Sequence, residues 1–142
     1  MCFSETISPL IGRLAIAWFF ASTAIACANH WDATVAMMTL KAIPVPPLLL
    51  ALALMIMWLG ALSLAFGYQT RHGAVLLFGY VLVVTAALHA FWTIADPRQQ
   101  AIEFDVFARN VAIAGGLLLL VGMGPGPFAI DNRSGKGGGR RH

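Results

Sequence analysis

Charged residues are scarce in this chain: they make up 11% of its 142 residues, whereas hydrophobic residues make up 59%. Soluble globular domains carry about 25% charged residues, so the composition excludes a soluble globular domain. A helix needs about 20 apolar residues to cross the ~30 Å hydrocarbon core of a bilayer. A chain of this length therefore has room for about four membrane spans in one compact domain.

Sequence signatures of common enzyme classes are also missing. The chain has no P-loop, no Rossmann glycine fingerprint, no HExxH and no plausible Ser/His/Asp set, and its two cysteines form no CxxC. These absences argue against hydrolase, nucleotide-dependent and dithiol chemistry. A transporter is also disfavoured, because the sequence has neither an inverted repeat nor a carboxylate within a span.

Four long apolar stretches dominate what is present, at about residues 7–28, 47–68, 73–91 and 106–123. None alternates apolar and polar residues as the strands of a membrane barrel do. The sequence therefore predicts an all-α, integral membrane four-helix bundle over residues 1–131. The remaining residues, 132–142, are basic and glycine-rich and predict a disordered tail.

The basic residues predict the orientation of this bundle. An even number of spans puts both termini on one side, together with the turn between the second and third spans. Six basic residues fall on that side: Arg13, Arg71, Arg133, Lys136, Arg140 and Arg141. By the positive-inside rule, both termini are cytoplasmic. The net charge of +3 is then explained by topology and bilayer contact, and no nucleic-acid partner is expected.

The segment between the first two spans predicts a short helix at the membrane interface. It runs from Trp31 towards Pro46, and Val35, Met38 and Ala42 are expected to face the lipid. Prolines end this helix, because proline cannot continue a helical hydrogen-bond ladder.

Several polar and aromatic residues are expected to converge at the outer end of the bundle. Thr85, His89 and Trp92 are spaced four and three residues apart, so they share one helix face. Phe107 and Asn110 lie where the last span starts, at the same level. One interpretation is structural: His89 and Asn110 hydrogen-bond across the helix interface and fix its register.

Two functional interpretations of the same region stay open. In the first, His89 and Asn110 donate hydrogen bonds to a quinone carbonyl, and Trp92 and Phe107 pack on its ring beside Thr85. A histidine with an ordinary pKa of about 6.5 suits proton exchange with such a ligand.

In the second, soft ligands hold copper. This metal site would consist of Cys27, His30 and His89, with Met37 or Met38 from the outer loop as a further soft ligand.

A further set of residues has only a structural interpretation. Small residues let membrane helices approach closely, and an arginine near a helix end reaches the interface and anchors it. Arg109, near the start of the last span, is expected to reach the interface in the same way. The structural set is Arg13, Gly60, Ser63, Gly67, Ala112 and Gly116.

Over most of residues 12–131 the chain resembles the DoxX family of small four-helix proteins of the bacterial inner membrane. The order and spacing of six fragments carry this resemblance: RLAIAWFFAS, KAIPVPPLL, GALSLAFGYQTR, LHAFW, FARNVAIAGGLLLL and GPGPFAID. The chain departs from that pattern at Cys27 and Met57, where the family tends to have a lysine and a glutamate. Loss of both together leaves no unpaired charge in the membrane, although it puts activities that need them in doubt.

The resemblance implies a multi-pass protein of the bacterial inner membrane. It also implies a small subunit or accessory factor of a quinone-linked membrane redox system, with a protein partner in that complex. If the protein takes part in catalysis, we expect it to do so within such an oxidoreductase and not alone. The alternative is a non-catalytic membrane scaffold or assembly factor.

Overall fold

A computed structural model describes residues 3–88, 91–124, 126 and 130 of the chain. Within these residues the chain forms five α-helices and no strand. The helices are α1 (Phe3–Asn29), α2 (Trp31–Leu40), α3 (Pro46–Phe66), α4 (Thr70–Leu88) and α5 (Pro97–Met123), and a single 3₁₀ turn, Phe91–Thr93, precedes α5. Four of them, all except α2, are long and apolar enough to cross a membrane. The predicted all-α membrane bundle is thus confirmed.

The long helices pack in chain order. Helix α1 lies against α3, α3 against α4, and α4 against α5, whereas α1 and α5 meet at only a few positions. We call the end of the bundle where α1 begins and α5 ends the terminal end, and the opposite end the α2 end. Which of the two faces the cytoplasm stays a prediction.

A tight turn joins α3 to α4 at the terminal end. Gly67 ends α3 with a left-handed φ of 68°, and its N–H donates to the Ser63 carbonyl at 2.9 Å. The Ser63 hydroxyl also donates to the Tyr68 carbonyl at 2.7 Å. Glycine suits Gly67 because it adopts positive φ without a steric penalty.

The last helix begins much earlier than its apolar run. Helix α5 starts at Pro97, whereas the apolar run predicts a start near residue 106. The Asp96 side chain accepts a hydrogen bond from the Arg98 N–H at 3.1 Å, and Pro97 occupies the first turn. Both are strong helix-start signals. Hydropathy missed them because a membrane helix can continue beyond the lipid as a polar helix.

Helix α2 confirms that the connection between the first two spans contains a short helix. Two of the side chains predicted to face the lipid lie elsewhere. Met38 is buried and α2 contacts α3, so Met38 packs within the protein and not on lipid. Ala42 lies beyond the helix, at a left-handed φ of 56°. The prediction failed because composition alone does not distinguish a lipid-facing from a protein-facing apolar side chain.

Candidate functional site

Two of the predicted site residues form a buried polar pair between α4 and α5. The Asn110 amide nitrogen Nδ2 donates to the Thr85 hydroxyl Oγ1 at 3.1 Å. Asn110 is 8% exposed and Thr85 is 7% exposed. Both side chains thus lie inside the protein, where a polar group is costly unless it is hydrogen-bonded.

The two aromatic residues of the predicted quinone pocket contact each other. The Trp92 and Phe107 ring centroids are 6.3 Å apart, with the ring planes at 86°. This edge-to-face contact joins the 3₁₀ turn to α5. Edge-to-face pairs stabilise by about 0.5–1.5 kcal/mol beyond the area they bury.

His89, on which both functional interpretations depend, lies outside the described residues. The quinone pocket with His89 as a donor therefore stays a prediction. Of its other members, the structure brings Thr85 to Asn110 and Trp92 to Phe107.

The proposed copper ligands fall at the junction of α1 and α2. Cys27 is a half-buried free thiol near the end of α1, and His30 is exposed just before α2. Among the residues that the structure describes, no three His, Cys, Asp or Glu side chains lie close enough to hold a metal ion. Because His89 lies outside that part of the chain, the copper hypothesis stays untested.

Sequence reasoning missed several contacts between the helices. The Lys41 ammonium donates to the Leu88 carbonyl, which ties the segment after α2 to the end of α4. The Arg109 guanidinium lies over the Phe19 ring, 5.5 Å from its centroid, and so links α5 to α1. Phe20 lies between Phe19 and Tyr80, at centroid distances of 5.3 and 6.4 Å. The aromatic content of the spans was the available signal, but it carried no pairing information.

The residues given a purely structural interpretation occupy different surroundings. Gly60 and Gly67 are buried, and Ser63 is partly buried at the turn. On α5, Gly116 lies against α1, because a Cβ there would be 3.3 Å from Ile16 Cδ1. Ala112 is exposed, so it takes part in no close approach between the helices that the structure describes.

Arg13 differs from the expectation that it reaches the membrane interface. It is 2% exposed and so is buried within the protein. It lines a cavity of 440 Å³ between α1 and α5 at the terminal end. A charged side chain inside a membrane bundle is costly and is by default a candidate for function. Sequence reasoning did not detect this cavity, because it depends on how far apart the first and last helices lie.

Comparison with known proteins gives a consistent family. Residues 35–136 match the sequence model of the SURF4 family. Inner membrane protein YphA of Escherichia coli K12 is 32% identical over 126 residues, which cover 87% of this chain and 88% of YphA. Inner membrane protein YqjF of the same organism is 27% identical over 127 residues, which cover 89% and 92%. The Surfeit locus protein 4 homolog of Drosophila melanogaster is 31% identical over 72 residues, which cover 49% and 26%.

No solved structure matches the chain significantly. With four candidate spans and two inner-membrane relatives, the protein is a multi-pass protein of the bacterial inner membrane, in contact with lipid.

These matches overturn the resemblance to the DoxX family, which was wrong. The fragments that carried it consist mainly of aliphatic, small and aromatic residues, which any compact membrane helix bundle needs for packing. Cys27 and Met57 therefore no longer count as departures from a family pattern. Met57 is an ordinary core residue, 1% exposed.

Proposed function

The chain belongs to the SURF4 family, and from this premise we propose that it is a non-catalytic scaffold or assembly factor that holds a partner protein within the inner membrane. The observation that carries this proposal is the buried hydrogen bond between Asn110 and Thr85. In this proposal the Asn110 amide, which was a predicted donor to the quinone, has a structural role.

The hydrogen bond between Asn110 and Thr85 is better suited to fixing the register of α4 against α5 than to catalysing a reaction. Hydrogen bonds between membrane helices contribute on average about 0.6 kcal/mol, and at most about 1.7 kcal/mol. That is a modest gain in stability, but it disfavours any shift of α4 along α5, because a shift would leave a buried amide without its partner. A rigid, well-registered surface is what a scaffold requires.

Three other contacts between segments support the same role. Lys41 reaches the Leu88 carbonyl, Trp92 packs on Phe107, and Arg109 covers Phe19. Each joins two segments of this chain that are distant in sequence. Together with Asn110 and Thr85 they stabilise one arrangement of the helices.

A quinone-linked redox role stays a prediction. A quinone site requires a hydrogen-bond donor directed at an open pocket. No contact among the described residues favours such a site over the structural role. Copper handling rests on Cys27, His30 and a histidine outside the described part of the chain, so it has no further support.

A double-mutant cycle tests the structural role. We would measure the free energy of unfolding in mixed micelles for the wild type, Asn110→Ala, Thr85→Val and the double variant. We expect a coupling energy of about 0.6–1.7 kcal/mol. Thr23→Val is the matched control, because the Thr23 hydroxyl bonds to the Phe19 carbonyl of its own helix. It should show no coupling with Asn110.

Two further outcomes bear on the proposal. Purification in mild detergent after cross-linking should recover a stoichiometric membrane protein partner, and its absence would contradict a scaffold. Co-purified quinone that Asn110→Ala removes, with no change in unfolding free energy, would overturn the proposal in favour of a redox role.

A further inference from the structure

We propose that the cavity between α1 and α5 binds an anionic phospholipid, with the phosphate near Arg13 and Arg71 and an acyl chain along the apolar wall. The inference is independent of the scaffold role. It is carried by the shape of the cavity, the position of two arginines and the exposure of the wall.

The cavity has the size and boundaries of a ligand site. Its volume of 440 Å³ lies within the roughly 300–1,000 Å³ typical of small-molecule pockets. Ile16 approaches Gly116 on one side of it, and Pro9 approaches Gly126 on the other. Between these two contacts α1 and α5 separate, and all four residues line the opening.

Arg13 supplies positive charge within the cavity. Its side chain lines the space while being 2% exposed, so its charge acts in surroundings of low dielectric. Side chains on a helix lean towards the helix N-terminus. The Arg13 side chain therefore leans towards the terminal end of the bundle, where lipid headgroups lie.

Arg71 adds a second positive charge at the rim. Its Nη2 and Nε atoms lie 3.5 and 3.7 Å from the position of a Cβ on Gly124, which itself lines the cavity. Arginine binds phosphate through two parallel hydrogen bonds, a geometry that lysine lacks. Glu5 also lines the cavity, and its carboxylate opposes an anion.

The walls favour a lipid over a soluble anion. Leu119 and Met123 line the cavity and are also exposed on the outside of α5. On a membrane-spanning helix such exposed leucine and methionine side chains face acyl chains. A lipid tail can therefore enter from the bilayer without leaving an apolar environment, whereas inorganic phosphate gains nothing from these walls.

The test fills the cavity without disturbing the fold. A Cβ on Gly12, which lines the cavity, would meet no atom within 4 Å, and the same is true of Gly79 on α4, which does not line it. Native mass spectrometry of the full chain would measure retained phosphatidylglycerol against phosphatidylcholine. We expect a preference for phosphatidylglycerol of about tenfold, lost in Gly12→Leu and kept in Gly79→Leu.

Charge variants sharpen the test without depending on the buried arginine. Arg71→Gln should weaken phosphatidylglycerol binding several-fold, whereas Arg98→Gln, which removes an exposed arginine at the α2 end, should not. Glu5→Gln should strengthen binding, because it removes the opposing carboxylate.

Three results would overturn the proposal. The first is equal retention of phosphatidylglycerol and phosphatidylcholine by the wild type. The second is equal effects of Gly12→Leu and Gly79→Leu. The third is thermal stabilisation by inorganic phosphate as large as that by phosphatidylglycerol and unaffected by Gly12→Leu, which would indicate a site for free anions.

Discussion

The α3–α4 hairpin and the α1–α5 pair use small residues in opposite ways. In the hairpin, a Cβ on Gly60 would lie 2.3–2.7 Å from side-chain atoms of Leu77, and one on Gly73 would lie 2.4 Å from Ser63 Oγ. Between α1 and α5 the approach is looser: a Cβ on Gly116 would lie 3.3 Å from Ile16 Cδ1, and one on Gly12, which lines the cavity, would meet nothing within 4 Å. Glycine thus permits the closest helix contact in the hairpin, whereas at Gly12 it leaves space beside the cavity.

The difference follows from connectivity. Helices α3 and α4 are joined by a turn of three residues, so they are held side by side and gain most from close van der Waals contact. Helices α1 and α5 are the first and last, and no short turn holds them together. We infer that the hairpin contributes mainly to stability and the α1–α5 pair mainly to ligand binding.

The largest expected difference between the two helix pairs comes from truncating one leucine in each. Leu77 is 0% exposed, whereas Leu119 is 63% exposed beside the cavity. We expect Leu77→Ala to lower the unfolding free energy by about 2 kcal/mol or more, because it leaves a void among packed atoms. Leu119→Ala should change it by less than about 0.5 kcal/mol. Unfolding in mixed micelles measures both, and equal losses would contradict the comparison.

The next effect comes from adding a methyl group. Gly60→Ala should cost about 1–3 kcal/mol, because Leu77 must shift. Gly115→Ala should leave the unfolding free energy unchanged or raise it by up to about 1 kcal/mol, since alanine favours helix. The cost of Gly60→Ala should shrink when Leu77 is alanine. A cost that persists in that background would show that Leu77 is not the obstacle.

The smallest effect concerns the turn of the hairpin. Ser63→Ala removes the hydroxyl that donates to the Tyr68 carbonyl and should cost about 1 kcal/mol. Ser22→Ala removes a hydroxyl bonded to the Phe19 carbonyl within the same helix. It should cost clearly less, because that carbonyl also belongs to the helix ladder. The same unfolding measurement compares the two, and a larger loss for Ser22→Ala would be inconsistent with this account.

Sequence reasoning succeeded where hydropathy alone decides the structure. The spans predicted at residues 47–68 and 73–91 correspond to α3 and α4, although α4 ends at Leu88 and a 3₁₀ turn follows. It failed for the start of α5, where Asp96 and Pro97 specify a helix start in a polar segment. These are local capping signals, which a hydropathy pattern does not detect.

The candidate sites were less predictable than the fold. Spacing brought Thr85 and Asn110 to one level, but it did not indicate that they bond to each other. The burial of Arg13 depends on the separation of α1 from α5, a property of packing between distant segments. The family assignment failed for a related reason: short apolar fragments specify helix packing and not ancestry.

The unequal lengths of the helices have a consequence for the choice of membrane. Helix α4 has 19 residues and α5 has 27, which correspond to about 28 and 40 Å at 1.5 Å per residue. The excess length of α5 lies in its polar first turns, which continue beyond the lipid and so do not enter the hydrocarbon core. The shorter helix therefore determines the hydrophobic thickness that the whole protein matches. Lipids beside α4 must deform in a thicker bilayer, a mismatch that would disfavour sterol-stiffened membranes.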